Sequence, residues 1–280
     1  MKQSKKTIEV EQVGPTRWIT LNRPDKLNAI NYDMVNELRA ELTSAAQDDN
    51  TKVLVLTANG RAFSSGYDLS ELAEDEISGA LRWHGILEDD VSLTMQLWSF
   101  PKPTIAAVHG WVLAGGCELA MACDMIIATD KAKFGEPEVK YGSGPATLLM
   151  PFVIGQKKTN ELLFTGDTID AEEALRIGLI NKVVTEEALH DEVRALIKKI
   201  APTPLSTLRL TKIGLIRAQE ATGIRQAISA NMDVSAILNG SDSPEQKEFD
   251  DIVRKEGLKQ ALAWRDARFE ESLGDKGKGK

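Results

Sequence analysis

The stretch from Pro101 to Asp130, "PKPTIAAVHGWVLAGGCELAMACDMIIATD", constrains the fold more than any other. Two apolar runs of strand length, "TIAAVHG" (104–110) and "MIIATD" (125–130), enclose a glycine turn and a short segment of helical character. Strand, helix and strand in close succession make a βα unit, whose sheet is covered by helices. One residue of the middle segment does not fit. Glu118 stands among Gly115, Gly116, Cys117, Leu119, Ala120 and Met121. A carboxylate placed there is costly unless it is paired or put to use.

The same alternation runs through the first part of the chain. "TIEVEQV" (7–13) alternates apolar and polar residues as a half-buried strand does, and "RWITLN" (17–22) is its hairpin partner after the Gly14-Pro15 break. "NYDMVNELRAELTSAAQ" (31–47) spaces Met34, Val35, Leu38, Leu42 and Ala45 as one helix face, and "VLVLTA" (53–58) reads as a buried strand. The segment from Asp68 to Phe100 reads as mostly helical. "ATLLMPFVIG" reads as a short helix broken at Pro151, and "TNELLFTG" and "DAEEALRIGL" as helices ending at glycine. From about residue 187 onward nearly every segment is an amphipathic helix. The expected class is α/β, with a core over residues 1–200, a helical region over 201–270 and a flexible tail over 271–280.

Charge narrows the partners. A formal net charge of -8 speaks against a general nucleic-acid grip, which needs a basic field, although local basic patches can still meet an anionic small molecule. Cys117 and Cys123 fit neither a zinc spacing nor a redox CxxC, so buried reduced thiols and a cytoplasmic setting are expected. The N-terminus lacks the apolar core of a signal peptide, and no run reaches the ~20 apolar residues that span a bilayer, so no membrane partner is expected.

Three segments carry chemistry. In "RAFSSGYDLSEL" (61–72), Ser65-Gly66 permits a tight turn before a helical stretch, with Asp68 placed to cap it. In "LAGGCELAMACD" a helix starts near Gly115 or Gly116, and its free N–H groups and dipole favour negative charge. In "KFGEPEVKYG" (133–142), Glu136 and Glu138 flank Pro137; Glu136 is expected to be an ordinary solvated acid. Glu138 gains weight beside Glu118, because two carboxyls facing one site push their pKa values apart. N–H donors from the loops at Tyr67 and Gly115 would form an oxyanion hole, suited to an enolate at an acyl thioester.

Taken in order, "LNRPDKLNAI", "AFSSGYDL", "PTIAAVHGWVLAGGCELAMACDMIIAT", "AKFGEPEVKYG" and "LLFTGDTIDAEEALRIGLINKVV" resemble the crotonase (enoyl-CoA hydratase/isomerase) superfamily over about residues 7 to 270. The resemblance implies a spiral of ββα units with a helical C-terminal trimerisation region, as homotrimer or hexamer. It implies an acyl-CoA thioester substrate and no separate cofactor or metal, coenzyme A being part of the substrate. It assigns the oxyanion hole to the backbone N–H groups of Tyr67 and Gly115, and the two catalytic glutamates to Glu118 and Glu138. Ser65, Gly66, Asp68 and Leu69 match the loop along the CoA adenine and pantetheine, and Lys26 lies in the segment near the CoA phosphates. Arg265 and Arg268 are expected to help, with a neighbouring subunit as one source. His84, His109 and His190 match no catalytic position.

With both glutamates present, the expected reaction is hydration of a 2-enoyl-CoA. Glu118 takes the proton of a water attacking the β-carbon, and Glu138 protonates the α-carbon. The rivals are a Δ3–Δ2 enoyl-CoA isomerase, which would keep isomerisation and lose water addition, a CoA-thioester hydrolase or lyase, and a non-catalytic acyl-CoA-binding scaffold, in which the glutamate pair would be broken. The chain departs from the family after Glu138, where "GSGPATLLMPFVIG" replaces a glycine-rich segment. Leu148, Leu149 and Met150 are therefore expected to reshape the acyl pocket, and Tyr67 to cap or narrow it. Trp83, Trp98 and Trp111 are expected mainly to pack the core, with flat pocket walls as the alternative. A cyclic or aromatic-derived acyl group follows as a hypothesis.

Overall fold

A computed structural model describes residues 6–74, 79–241 and 243–274. The chain opens with a hairpin of β1 (Ile8–Val13) and β2 (Thr16–Leu21), antiparallel, with Ile8 opposite Leu21. Then come β3 (Val53–Ala58), β4 (Thr104–Val108), β5 (Trp111–Leu113), β6 (Met125–Thr129), β7 (Lys133–Gly135), β8 (Ile169–Asp170) and β9 (Lys182–Val184). Six strands form one sheet in the order β1-β2-β3-β4-β6-β9, parallel beyond the hairpin; β5, β7 and β8 form a second, small sheet. β4 leads directly to β5, and β6 to β7, so successive strand pairs step from the large sheet to the small one before a helix follows. That repeat is the ββα spiral.

The helices are α1 (Tyr32–Gln47), α2 (Leu69–Glu74), α3 (Ala80–Trp98), α4 (Gly115–Ala122), α5 (Met150–Ile154), α6 (Gln156–Thr165), α7 (Ala171–Arg176), α8 (Leu189–Ile200), α9 (Leu205–Glu220), α10 (Ile224–Gly240), α11 (Pro244–Glu256) and α12 (Leu258–Gly274). The two-residue period of β3 divides the core. Leu54 and Leu56 join the larger cluster with α1, α3 and α4, while Val53 and Val55 join Leu189, Val193 and Ile197 of α8 on the other face. Asn31 caps α1, its side chain accepting from the Met34 N–H at 3.1 Å.

Two expectations shift. Pro151 does not break a helix; it sits in the first turn of α5, where its missing N–H costs nothing. The expected tail from 271 begins as helix, since α12 runs to Gly274; residues 275–280 lie outside the described residues.

The C-terminal helices turn back onto their own chain. Phe249 of α11 stacks on Tyr141, with ring centroids 4.5 Å apart, and Trp264 of α12 tilts against Phe249 at 6.4 Å. Tyr141 ends the 3-10 turn Pro137–Tyr141 that carries Glu138, so aromatic packing fixes that turn from behind.

Candidate active site

Two loops meet where the small sheet begins. The Ser64 N–H donates to the Trp111 carbonyl at 3.0 Å, and the Leu113 N–H returns a bond to the Ser64 carbonyl at 3.0 Å. Ile30 anchors the first loop, donating to the Gly66 carbonyl at 2.8 Å and accepting from the Asp68 N–H at 2.9 Å. The Tyr67 N–H, between them, points the other way. Among the described residues neither it nor the Gly115 N–H has an acceptor. Gly115 is the first residue of α4, so its N–H is one of the helix's free donors. Close approach demands glycine twice: a β-carbon on Gly66 (φ +95°) would sit 2.7 Å from that of Ala114, and one on Gly115 would sit 2.4 Å from the Tyr67 ring. Ala114 itself is held at φ +49°, a strained conformation at the turn that aims the Gly115 N–H.

Glu118 lies one turn into α4 and is fully buried. Its Oε1 accepts the Thr147 N–H at 2.6 Å, and its Oε2 has no partner among the described residues. Glu138 is buried on its 3-10 turn, and its Oε2 is likewise unpartnered. Desolvation pushes both carboxyls up; Glu118 also feels the charge of Glu138, while the neighbouring Glu136 and, less, Arg265 pull Glu138 back. The pair therefore holds a proton more readily than free carboxyls do and titrates as a unit.

Beside these groups opens a cavity of about 1000 Å³. Lys26, Ser65, Tyr67, Asp68, Leu69, Gly115 and Glu138 all line it. Gly66 and Glu118 are not among its lining residues: Gly66 packs against Ala114, and Glu118 is fully buried. Asp68 accepts the Ser70 N–H at 3.2 Å and pairs with Arg23 at 2.9 Å. Arg265 reaches the cavity from its own chain, whereas Arg268 turns to Glu245 and Trp264 and stays off the wall.

Some expectations are overturned. Glu136 is not solvated; it is 1% exposed, neither carboxyl oxygen has a partner among the described residues, and burial pushes it well up. Leu149 and Met150 turn into the core, and Leu148 does not reach the cavity. The side chains beside Tyr67 come instead from α3, as Trp83, Leu87 and Asp90. Trp111 is a wall residue too, while Trp98 packs against the core. His109 contacts the Gly60 carbonyl at 2.8 Å, away from the cavity.

Sequence reasoning missed several supporting residues. Asn28 is fully buried and ties Arg23, Asn59 and Ala62 together, fixing the loop that presents Lys26. Its signal was an asparagine before a strand-like step, where left-handed backbone (φ +52°) is tolerated. Thr147 acts through its backbone, which carries no side-chain signal. Arg61 also lines the cavity, a cation beside the expected Lys26 and Arg265.

Comparison with known proteins agrees with this geometry. The enoyl-CoA hydratase/isomerase family model matches residues 16–260. A crotonyl-CoA hydratase of Syntrophomonas wolfei is 35% identical over 253 residues, covering 89% of this chain and 92% of that protein. A short-chain-enoyl-CoA hydratase of Clostridium acetobutylicum is 37% identical over 218 residues, 76% of this chain and 82% of its own. The crystal structure of an enoyl-CoA hydratase/isomerase from Xanthobacter autotrophicus superposes with a TM-score of 0.91 at 39% identity, over 94% of this chain and 98% of that one. With two unpaired N–H donors and two buried glutamates beside one cavity, and with a match over most of its length, the chain belongs to the enoyl-CoA hydratase/isomerase family.

Proposed function

We infer that the protein is an enoyl-CoA hydratase, adding water across the 2,3 double bond of an enoyl-CoA thioester. The observation that carries this reading is the pair of buried glutamates with free oxygens beside unpaired backbone donors. The Tyr67 and Gly115 N–H groups hold the thioester oxygen as negative charge grows on it. Such preorganised donors are each worth about 10²–10³ in rate. Thr147 pins one oxygen of Glu118, leaving the other to hold a water. The water oxygen bonds to the β-carbon as its proton passes to Glu118. The carbon–carbon π electrons move toward the carbonyl, and Glu138 delivers a proton to the α-carbon. The product is a 3-hydroxyacyl-CoA. Glu118 ends protonated and Glu138 ionised, and proton exchange resets the pair. The reverse sequence dehydrates a 3-hydroxyacyl-CoA.

Lys26 and Arg61 suit the CoA phosphates, and the Ser65–Leu69 loop the adenine and pantetheine; no separate cofactor is required. The flat rings of Tyr67 and Trp83 suit a cyclic or aromatic acyl group, a reading that highest kcat/KM on crotonyl-CoA would remove. Exposed apolar side chains on α9 and α10, among them Leu210, Leu215, Val234 and Ile237, support assembly into a homotrimer or hexamer. Cys117 and Cys123 are buried free thiols, pushed up to about 12, and fit a reducing cytoplasm. Among the described residues no helix is long and apolar enough to cross a membrane.

The decisive test is crotonyl-CoA hydration by the wild type, Glu118→Gln and Glu138→Gln. Each substitution is expected to lower kcat by about 10²–10⁴. Rates near wild type in both would end the two-glutamate mechanism.

A further inference from the structure

Helix α10 carries a polar stripe on the face turned to the segment that runs between the two glutamates. Asn231, Ser235 and Asn239 are spaced four residues apart, so they stand one above another on that face. The Asn231 Nδ2 donates to the Pro145 carbonyl at 3.0 Å, and the Ser235 Oγ to the same carbonyl at 3.3 Å. Asn239 meets the segment differently: its Oδ1 accepts from the Ser143 Oγ at 2.9 Å. The segment is tied to the acids at both ends. The Ser143 N–H donates to the Glu138 carbonyl at 3.1 Å, and the Thr147 N–H donates to Glu118 Oε1 at 2.6 Å. The stripe thus docks the backbone that links one glutamate to the other.

Docking leaves two amides unused. The Asn239 Nδ2 has no acceptor among the described residues. On α11, Ser243 and Gln246 have the spacing of a capping box, and the Ser243 Oγ accepts the Gln246 N–H at 3.2 Å. The reciprocal bond is missing: the Gln246 side chain makes no hydrogen bond among the described residues, and its Oε1 is sealed. Gln246 stands over the same segment, its β-carbon 3.4 Å from where one on Gly142 would lie. Ser143, Asn239 and Gln246 all line the cavity. Asn239 is 3% exposed and Gln246 7%; with Oε1 sealed, the amide nitrogen is the polar atom that Gln246 can present. Helix α10 packs along α3, with Asp233 3.3 Å from His84, so the amides share the end of the cavity lined by Trp83 and Leu87. Donors without acceptors in a buried wall are costly in the empty protein, and a ligand that accepts from them recovers that cost. An amide N–H2 only donates, so its complement is an acceptor. Both donors are neutral, and the carboxyls of Glu118 and Glu138, tied to the same segment, would oppose a carboxylate. A carbonyl oxygen has two lone pairs and no charge; an alkyl end satisfies neither donor.

We propose that Asn239 and Gln246 form a donor subsite at the acyl end of the cavity that selects an enoyl-CoA whose acyl group carries a second, uncharged carbonyl. This deepens the hydratase reading and rests on it. Both are then specificity residues, with no part in the proton transfers.

The test compares matched pairs that differ by one ketone: 2-heptenoyl-CoA with 6-oxo-2-heptenoyl-CoA, and 2-octenoyl-CoA with 7-oxo-2-octenoyl-CoA. Wild-type kcat/KM is expected to favour the oxo member of at least one pair by about tenfold or more, since a site built to hydrogen-bond a group rejects its absence. Gln246→Met keeps the length of the side chain and breaks no hydrogen bond among the described residues, so folding is not at issue. It is expected to cut that ratio by about threefold or more, and Asn239→Leu likewise. The double variant is expected to bring the ratio to about one or below. Because the readout is a ratio within each variant, a loss common to both thioesters cancels. Calorimetric Kd values for the saturated heptanoyl-CoA and 6-oxoheptanoyl-CoA, and for octanoyl-CoA and 7-oxooctanoyl-CoA, give the same comparison without turnover. Hydration of all four thioesters with no oxo preference in wild type would overturn the subsite and leave the hydratase reading standing. So would a preference that Gln246→Met leaves intact. If no thioester is hydrated, the hydratase reading falls; equal Kd values within both saturated pairs would then sink the subsite as well, and an oxo preference lost in Gln246→Met would uphold it alone.

Discussion

At the scale of single residues the site is defined by what burial does to carboxyls. Glu118, Glu136 and Glu138 are all pushed up by desolvation. Glu136 lies outside the cavity wall, and its raised carboxyl answers first to burial and then to the neighbouring Glu138. A glutamic acid raised in the folded state favours folding below its ordinary pKa and loses that advantage as pH rises toward the folded value. Glutamine is neutral throughout. Glu136→Gln should therefore melt higher than wild type at neutral pH, by about 2–4 °C for each kcal/mol recovered. The gap should close as pH falls into the ordinary carboxyl range; a melting difference that is constant with pH would remove this account. The sequence made Glu118 conspicuous because its neighbours are apolar, whereas Glu136 looked like a loop acid beside a proline. Loop residues carry no periodicity from which burial can be read, and the groups around Glu136, Cys117 and Glu118, sit on α4, which its own segment does not reveal.

At the scale of elements, most of the α/β part was legible. The apolar runs at 53–58, 104–108 and 125–129 announce strands buried on both faces, and the spacing across 31–47 announces one helix face. The wall of the acyl pocket was not legible. Leu149 and Met150 were expected there because they are bulky, yet local sequence does not say which way a short turn faces. Lys102 shows how one side chain can finish an element. It is fully buried, and its Nζ donates at 2.7 Å to both the Ala45 and the Asp48 carbonyls, closing the C-terminal end of α1. Lys102→Met should cost about 2–3 kcal/mol by leaving those carbonyls unsatisfied. A denaturant midpoint that falls with an unchanged slope would show it; an unmoved midpoint would mean that water or another donor takes over.

At the scale of the whole molecule, exposed apolar side chains on α9 and α10 set the expectation. Leu215 is 60% exposed and Ile237 is 64% exposed. The double variant Leu215→Glu and Ile237→Glu should shift the particle toward a monomer in light scattering, with the helical circular-dichroism signal retained. An unchanged mass would place the contacts between copies elsewhere. The cavity draws on distant parts of the chain, from Asp25 and Lys26 to Leu262 and Arg265. That span has a consequence for biosynthesis. On the ribosome both glutamates are made well before Leu258, Leu262 and Arg265, so the chamber they serve then still lacks the wall those residues form. A nascent chain stalled before residue 258 would carry both acids and both backbone donors without an enclosed place for a thioester. Ligand retention by staged ribosome-bound chains should therefore appear late and abruptly, only after α12 has cleared the exit tunnel.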